Sequence, residues 1–109
     1  MRAAVTALVE AHPEIEEVHL FGSLARGDMT PRSDADLLVI LREASDPPRD
    51  RIPRYLPDHT PVPVDVFPFT RAEIEARRRE GDRFLTRVFT EAIRLYPPAE
   101  GERIADRAR

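Results

Sequence analysis

The fold is decided by a stretch that reads Val18-His19-Leu20-Phe21-Gly22-Ser23-Leu24-Ala25-Arg26-Gly27 and, after a polar linker, Ser33-Asp34-Ala35-Asp36-Leu37-Leu38-Val39-Ile40-Leu41. The first apolar run ends in a Gly-Ser pair, which predicts a strand followed by a tight turn. The second run is apolar without alternation from Leu37 to Leu41, as is typical of a central strand covered on both faces. Two aspartates therefore stand at the entrance of a buried strand.

The two aspartates, Asp34 and Asp36, are spaced so that both side chains lie on one face of the strand, about 6–7 Å apart. Two carboxylates this close repel each other unless a positive group lies between them. A divalent metal would supply that charge, and hard oxygen ligands favour magnesium. The simpler interpretation is two solvated acids at the start of a strand, because such short matches are often false.

The Gly-Ser pair suits a phosphate group. Gly22 lets a ligand approach the backbone, and the Ser23 hydroxyl and the N–H groups of the turn can donate to phosphate oxygens. Arg26 would add a charge-assisted contact. The simpler interpretations are a helix N-cap at Ser23 and an ion pair between Arg26 and an acid such as Asp28 or Asp34.

A third acidic residue, Asp65, lies within a predicted strand over Pro61 to Phe67. Aspartate is depleted in strand interiors. The valines of this strand share one face, whereas Asp65 and Phe67 share the other. If this strand is a neighbour of the one that follows Asp34 and Asp36, three carboxylates can bind two magnesium ions about 3.5–4 Å apart. The simpler interpretation is an acid on the exposed face of an edge strand.

The rest of the chain predicts alternating helices and strands. Thr70 and Glu73 form a capping box at the start of one helix, Gly81 ends it, and Asp82 caps the next. Helices are predicted over 2–11, 23–26, 49–56, 70–81 and 83–93, and strands over 18–21, 34–41, 61–67 and 94–96. We expect one domain over residues 1–96 and a charged, frayed tail over residues 97–109.

Composition narrows the class of protein. The 109 residues suit a single small domain, with 41% apolar and 34% charged residues and a net charge of −3. The acidic balance disfavours nucleic acid as a direct ligand. There is no cysteine, no apolar run of the roughly 20 residues that span a bilayer, and no signal-peptide pattern. We therefore expect a cytoplasmic protein without a membrane segment.

Other polar residues have structural interpretations. His12, His19 and His59 share no metal-ligand spacing, so we expect them to be structural or surface residues. The run Arg77-Arg78-Arg79 is typical of a solvated helix face, with a patch for an acidic partner as the alternative. Phe84, Phe89 and Tyr96 stand among aliphatic residues and are expected in the core.

Together, Gly22-Ser23-x-Ala25-Arg26-Gly27 and Ser33-Asp34-x-Asp36-Leu37-x-Val39 resemble the nucleotidyltransferase signature of the DNA polymerase beta superfamily. In its brevity the chain looks like a minimal nucleotidyltransferase, a prokaryotic protein often encoded beside a helical HEPN-domain partner. The resemblance implies an α/β (α+β) nucleotidyltransferase fold, with a small mixed β-sheet flanked by helices.

The same resemblance implies the roles of the site residues. Asp34, Asp36 and Asp65 match the catalytic, metal-binding carboxylates. Gly22 and Ser23 match the turn that binds the triphosphate, and Arg26 matches the motif arginine. The implied cofactor is Mg²⁺, two ions being expected, and the substrate is ATP or another nucleoside triphosphate.

The implied reaction is transfer of a nucleoside monophosphate, AMP by preference, to a hydroxyl. In the paired systems the nucleotidyltransferase is the antitoxin and the acceptor is a tyrosine of the HEPN toxin. A non-catalytic antitoxin that neutralises its partner by direct binding is the alternative, and transfer to a small molecule such as an aminoglycoside is a third. Because the chain has little surface for an acceptor pocket, we expect a partner protein or a second copy to complete it.

Overall fold

The computed structural model describes residues 1–22, 25 and 35–98 of the chain. The secondary structure of this part alternates between helices and strands. In chain order it consists of α1 (Arg2–Ala11), β1 (Ile15–Phe21), β2 (Ala35–Leu41), α2 (Pro48–Arg51), a 3₁₀ turn (Ile52–Tyr55), β3 (Val64–Thr70), α3 (Arg71–Arg79), α4 (Arg83–Glu91) and β4 (Ile93–Tyr96).

The strands form one mixed sheet in the order β3-β2-β1-β4. β1 pairs antiparallel with β2 on one side and with β4 on the other. β2 and β3 are parallel, because the chain crosses over through α2 and the 3₁₀ turn before it enters β3. This arrangement confirms the predicted α+β fold with a small mixed sheet flanked by helices.

Two apolar clusters lie on opposite faces of the sheet. On one face, Leu37, Val39 and Leu41 of β2 pack in a cluster with Val5 and Leu8 of α1. On the other face, the alternate β2 residues pack against α3 and α4 in a cluster that includes Leu38, Ile40, Ile74, Leu85 and Val88. Every residue from Leu37 to Leu41 is fully buried, which confirms the prediction of a central strand.

The first strand begins earlier than predicted, at Ile15 rather than Val18. The sequence Glu14 to Glu17 suggested a polar link, but the glutamates have partners in the folded chain. Arg71 of α3 donates to Glu16 and to Glu17, and the ring of His19 also bonds to Glu17. Charges that look solvated along the chain are therefore paired across the sheet.

The third strand lies three residues later than predicted, at Val64–Thr70 rather than 61–67. The strand includes Pro68, although proline cannot donate to a ladder hydrogen bond. β3 is an edge strand, however, and an edge tolerates proline where its missing N–H would not be paired.

The helical predictions hold in their main features. The capping box between Thr70 and Glu73 is present, and Asp82 caps α4 through the N–H of Leu85. The 49–56 helix is realised as α2 followed by the 3₁₀ turn. α4 ends at Glu91 rather than 93, because Ile93 begins β4.

The predicted helix over 23–26 lies outside the described residues, apart from Ala25. None of the helices in the described part of the chain has the length and hydrophobicity needed to cross a bilayer.

A buried arginine ties the crossover to the end of β3. Arg51 is 1% exposed and donates through both Nη atoms to the two carboxylate oxygens of Glu73, over 2.7 and 3.0 Å. It also donates to the carbonyl oxygens of Pro68 and Asp46. Since Glu73 is also part of the capping box, one guanidinium joins the crossover, the edge strand and the start of α3.

We expect Arg51→Met to destabilise the fold by about 2–4 kcal/mol. Removing one partner of a buried ion pair costs about 3–5 kcal/mol, but the Glu73 side chain is 33% exposed, so water recovers part of its solvation. Chemical denaturation measures the change. Arg54→Met is the control, because exposed Arg54 binds the same Asp46 at the surface; an equal loss in both variants would contradict the role of Arg51.

The contact between Arg51 and Glu73 makes the stability of the fold depend on pH in the acidic range. Hydrogen bonding from Arg51 holds the pKa of Glu73 below its usual value of 4.5. The stability contributed by Glu73 is therefore complete above about pH 4.5 and is lost as the pH falls through the lower folded pKa. We expect Glu73→Gln to flatten the fall of the unfolding free energy as the pH is lowered below about 4.5. An unchanged pH slope in this variant would show that other carboxyls carry the acid sensitivity.

Candidate active site

Two of the predicted site carboxylates are neighbours on adjacent strands. In the parallel register of β2 and β3, Asp36 pairs with Asp65, and neighbouring strands lie about 4.8 Å apart. Asp36 is two residues before Leu38 and Asp65 two before Phe67, and both of these pack on the α3/α4 face. The two carboxylates therefore share one face of the sheet at the start of both strands.

At Gly22, directly after β1, the backbone approaches the carboxylate of Asp36 closely. Phe21, the last residue of β1, pairs with Asp36, and Gly22 follows with a φ of +83°. A Cβ atom built on Gly22 would lie 2.3 Å from Oδ2 of Asp36. Only glycine allows this close approach in that backbone conformation, so the predicted phosphate turn begins in contact with the predicted metal ligand.

A cleft of about 270 Å³ opens beside Asp36. The sheet and one helix supply its walls. The sheet side contributes Phe21, Gly22 and Asp36, and α4 contributes Phe84, Arg87, Val88 and Glu91. Asp65 lies outside this cleft, exposed on the edge strand.

The sequence of α4 and of its N-terminal cap explains why this helix lies over the site. The Asp82 cap begins the helix, and Leu85 and Val88 are buried against the sheet. Phe84 also meets the rings of Phe21 and Phe67, with centroids 5.7 and 5.5 Å away. This packing fixes α4 on the sheet, so that Arg87 and Glu91 lie beside the strands that carry the acids.

Three predicted site residues, Asp34, Ser23 and Arg26, lie outside the described residues. The structure thus brings together Gly22, Asp36 and Asp65 of the predicted set. Within the described ranges, no group of three or more His, Cys, Asp or Glu side chains is arranged to hold a metal ion.

The donor chemistry of the described pair nevertheless fits a hard divalent cation. Asp36 and Asp65 offer carboxylate oxygens on one face, and oxygen donors suit Mg²⁺. Two acids at adjacent strand positions are unfavourable to each other without a compensating charge. The residues that would hold the ion are therefore Asp36 and Asp65, with Asp34 as the third ligand expected from the sequence.

A larger cavity of about 520 Å³ lies on the opposite face of the sheet, between α1 and residues 53–59. It contains none of the predicted site residues. His12 borders it and packs edge-on against Tyr55, whose hydroxyl donates to Glu14 over 2.5 Å. The histidine thus has the structural surroundings expected of it.

Sequence reasoning missed the residues that α4 contributes to the cleft. Arg87 and Glu91 attracted no prediction, and Phe84 was expected only in the core. Their spacing of three and four residues places them on one helix face, which was the available signal. Nothing in the sequence said that this face lies over Asp36.

The comparisons with known proteins agree with this geometry. The sequence profile of the nucleotidyltransferase domain family matches residues 1–94. No curated protein matches the chain.

Two solved structures are similar in fold. One is a protein from Sulfolobus solfataricus described as a candidate nucleotidyltransferase, with 28% identity, a TM-score of 0.53, and coverage of 69% of this chain and 68% of that chain. The other is a toxin-antitoxin structure with AMP-PNP, with 16% identity, a TM-score of 0.62, and coverage of 93% and 76%. Because the profile spans nearly all of the described chain, the protein belongs to the nucleotidyltransferase domain family.

Proposed function

We propose that the protein is a Mg²⁺-dependent nucleotidyltransferase that transfers AMP from ATP to a tyrosine hydroxyl of a HEPN-domain toxin and thereby acts as its antitoxin. The observation that carries the proposal is the in-register pair of Asp36 and Asp65, with Gly22 against the Asp36 carboxylate. The family supplies the transferase class. The cytoplasm is the compartment in which we place the reaction.

The similar structures support the choice of substrate and partner. A toxin-antitoxin structure with AMP-PNP shares this fold over 93% of the chain. AMP-PNP is an analogue of ATP, and the description of that structure as a toxin-antitoxin favours a partner for this chain. The resemblance seen in the sequence motif adds the HEPN class and the tyrosine acceptor.

The two acids face different surroundings, which suggests where each substrate lies. Asp36 borders the cleft under α4, so the triphosphate would lie there, beside Gly22. Asp65 is exposed on the edge strand β3, so an acceptor hydroxyl on another protein can reach it from outside. The site is thus completed by a partner that docks along β3.

The proposed transfer exchanges a phosphoanhydride bond of ATP for a phosphate ester bond to tyrosine. The tyrosine oxygen bonds to the α-phosphorus, the bond to the bridging oxygen breaks, pyrophosphate leaves, and the tyrosine proton passes to solvent. Asp34, Asp36 and Asp65 would hold Mg²⁺, which when bound neutralises charge on the phosphates and favours the ionised hydroxyl. Gly22 leaves space for the phosphates at the backbone, and the turn expected from the Gly-Ser sequence would offer N–H donors.

We expect Asp36→Asn and Asp65→Asn each to lower transfer of labelled AMP to the toxin by at least about 100-fold, since each removes a carboxylate that would hold the Mg²⁺ that stabilises charge on the phosphates. The measurement is incorporation of label from ATP in the presence of Mg²⁺, with chelator as the blank. Asp50→Asn is the control, because Asp50 is exposed in α2, away from the cleft.

The same variants separate catalysis from simple binding. If Asp36→Asn binds the toxin normally and still protects cells without labelling it, neutralisation by direct complex formation replaces the proposed reaction. Labelling that continues undiminished in both variants contradicts the assignment of the acids.

Gly22→Ala and Gly81→Ala form a matched pair. Both glycines have positive φ, +83° and +77°, so each alanine costs about 1–2 kcal/mol of backbone strain. A Cβ at Gly22 also meets Asp36, whereas one at Gly81 has no atom within 4 Å. We expect AMP transfer to fall about 10- to 100-fold in Gly22→Ala only, because the carboxylate is displaced. Equal activity in the two variants would show that the approach of Gly22 to Asp36 is not needed.

A further inference from the structure

The cleft beside Asp36 is smaller than a whole nucleotide needs. Its volume is about 270 Å³, whereas pockets that enclose a complete small-molecule ligand span roughly 300–1,000 Å³. It therefore takes one part of a nucleoside triphosphate. Three of its lining residues are charged, namely Asp36, Arg87 and Glu91, which favours a charged part of the ligand.

Arg87 is the cationic side chain among the described residues that line this cleft. It projects from α4, is exposed, and lies one turn from Phe84 and from Glu91, which also line the cleft. Within the described part of the chain it makes no hydrogen bond or ion pair. Its guanidinium is thus available to a ligand.

Two arginines of α3, Arg77 and Arg78, are engaged by the fold. Arg77 lies 4.6 Å from the ring centroid of Phe69 and 3.5 Å from a carboxylate oxygen of Asp82. Arg78 lies 4.7 Å from the ring centroid of Phe89. These contacts explain why an arginine is held at each position, whereas none of the described contacts explains Arg87.

We propose that Arg87 binds the phosphates of the nucleoside triphosphate beyond the α-phosphate, and so the pyrophosphate that leaves. This inference rests on the proposed function, since it places the triphosphate in the cleft beside Asp36. A guanidinium presents a planar fork of donors that matches phosphate oxygens in pairs. Arg87 stands on the helix wall of the cleft and Gly22 on its sheet side, so the two would contact the polyphosphate from opposite sides.

The base and sugar are less suited to this position. Phe84, the aromatic side chain of α4 in the cleft, already packs against Phe21 and Phe67. Its ring is therefore engaged in the core. Arg87 offers donors only, and a polyphosphate offers many acceptor oxygens with negative charge.

Calorimetric titration of the full chain with Mg²⁺ tests the inference, using inorganic tripolyphosphate, ATP and AMP as separate probes. Tripolyphosphate makes the test independent of the base. We expect Arg87→Ala to weaken binding of tripolyphosphate and ATP on the order of 10- to 100-fold, the usual effect of losing charge-assisted hydrogen bonds. AMP binding should change less than about twofold, because AMP lacks the outer phosphates.

Arg83→Ala is the matched control, an exposed arginine on the same helix that does not line the cleft. It should leave all three affinities unchanged. Arg87→Lys keeps the charge but loses the fork, so it should fall between the wild type and Arg87→Ala. A melting curve for each variant shows whether the fold is retained.

Several results would overturn the inference. They are unchanged tripolyphosphate binding in Arg87→Ala, an equal loss for AMP and ATP, or no binding of tripolyphosphate by the wild type. Unchanged phosphate binding with a weakened toxin complex would instead assign Arg87 to an acidic group of the partner.

Different results would contradict the proposed function and the role of Arg87. If Arg87→Ala loses tripolyphosphate affinity but the wild type transfers no AMP to the toxin, the phosphate contact stands and the acceptor is wrong. If AMP transfer occurs and Arg87→Ala keeps the same KM for ATP, the transfer stands and the role of Arg87 is wrong.

Discussion

The parallel pairing of β2 with β3 is the constraint on which the site depends. It sets Asp36 opposite Asp65 at the point where both strands begin. Since side chains alternate between the faces of a strand, a slip of one residue would turn Asp65 toward α1 and bring Val64 or Val66 beside Asp36. The proximity of the two carboxylates therefore depends on this one register.

That register is secured by contacts at the other end of the strands. The crossover between β2 and β3 contains many prolines and little regular structure, yet Arg51 anchors it to the Pro68 carbonyl and to Glu73. The same Glu73 closes the capping box that begins α3. Buried charge is costly unless it is fully paired, and here the pairing holds the crossover, the edge strand and a helix in one arrangement.

One face of the sheet is wholly apolar along β2, and the other carries the candidate site at its end. The α1 face is an apolar core along the whole of β2, with Leu37, Val39 and Leu41 in one cluster. On the other face the core ends at Leu38, and Asp36 takes the next position on that side. The cleft lies where α4 extends past the apolar part of the sheet, so the packing that buries α4 also forms a wall of the site.

Local patterns in the sequence determined a large part of this protein. The central strand, the capping box at Thr70 and the Asp82 cap each depend on residues a few positions apart, and the Gly-Ser turn and the two acids lie within one stretch of 15 residues. For that reason the fold class and the family followed from the chain alone. The limits of β1 and β3 did not, because Glu16, Glu17 and Pro68 owe their places to neighbours on other elements.

The tertiary structure alone decided which distant residues meet. Asp65 could equally have been a solvated acid on an edge strand, and it is exposed on one; only the β2–β3 register sets it beside Asp36. Likewise, nothing in the sequence distinguishes Arg51 or Arg87 from the other arginines. Their contacts arise from how the crossover and α4 pack on the sheet, which periodicity along the chain does not encode, because it specifies the face of each element and not its partner.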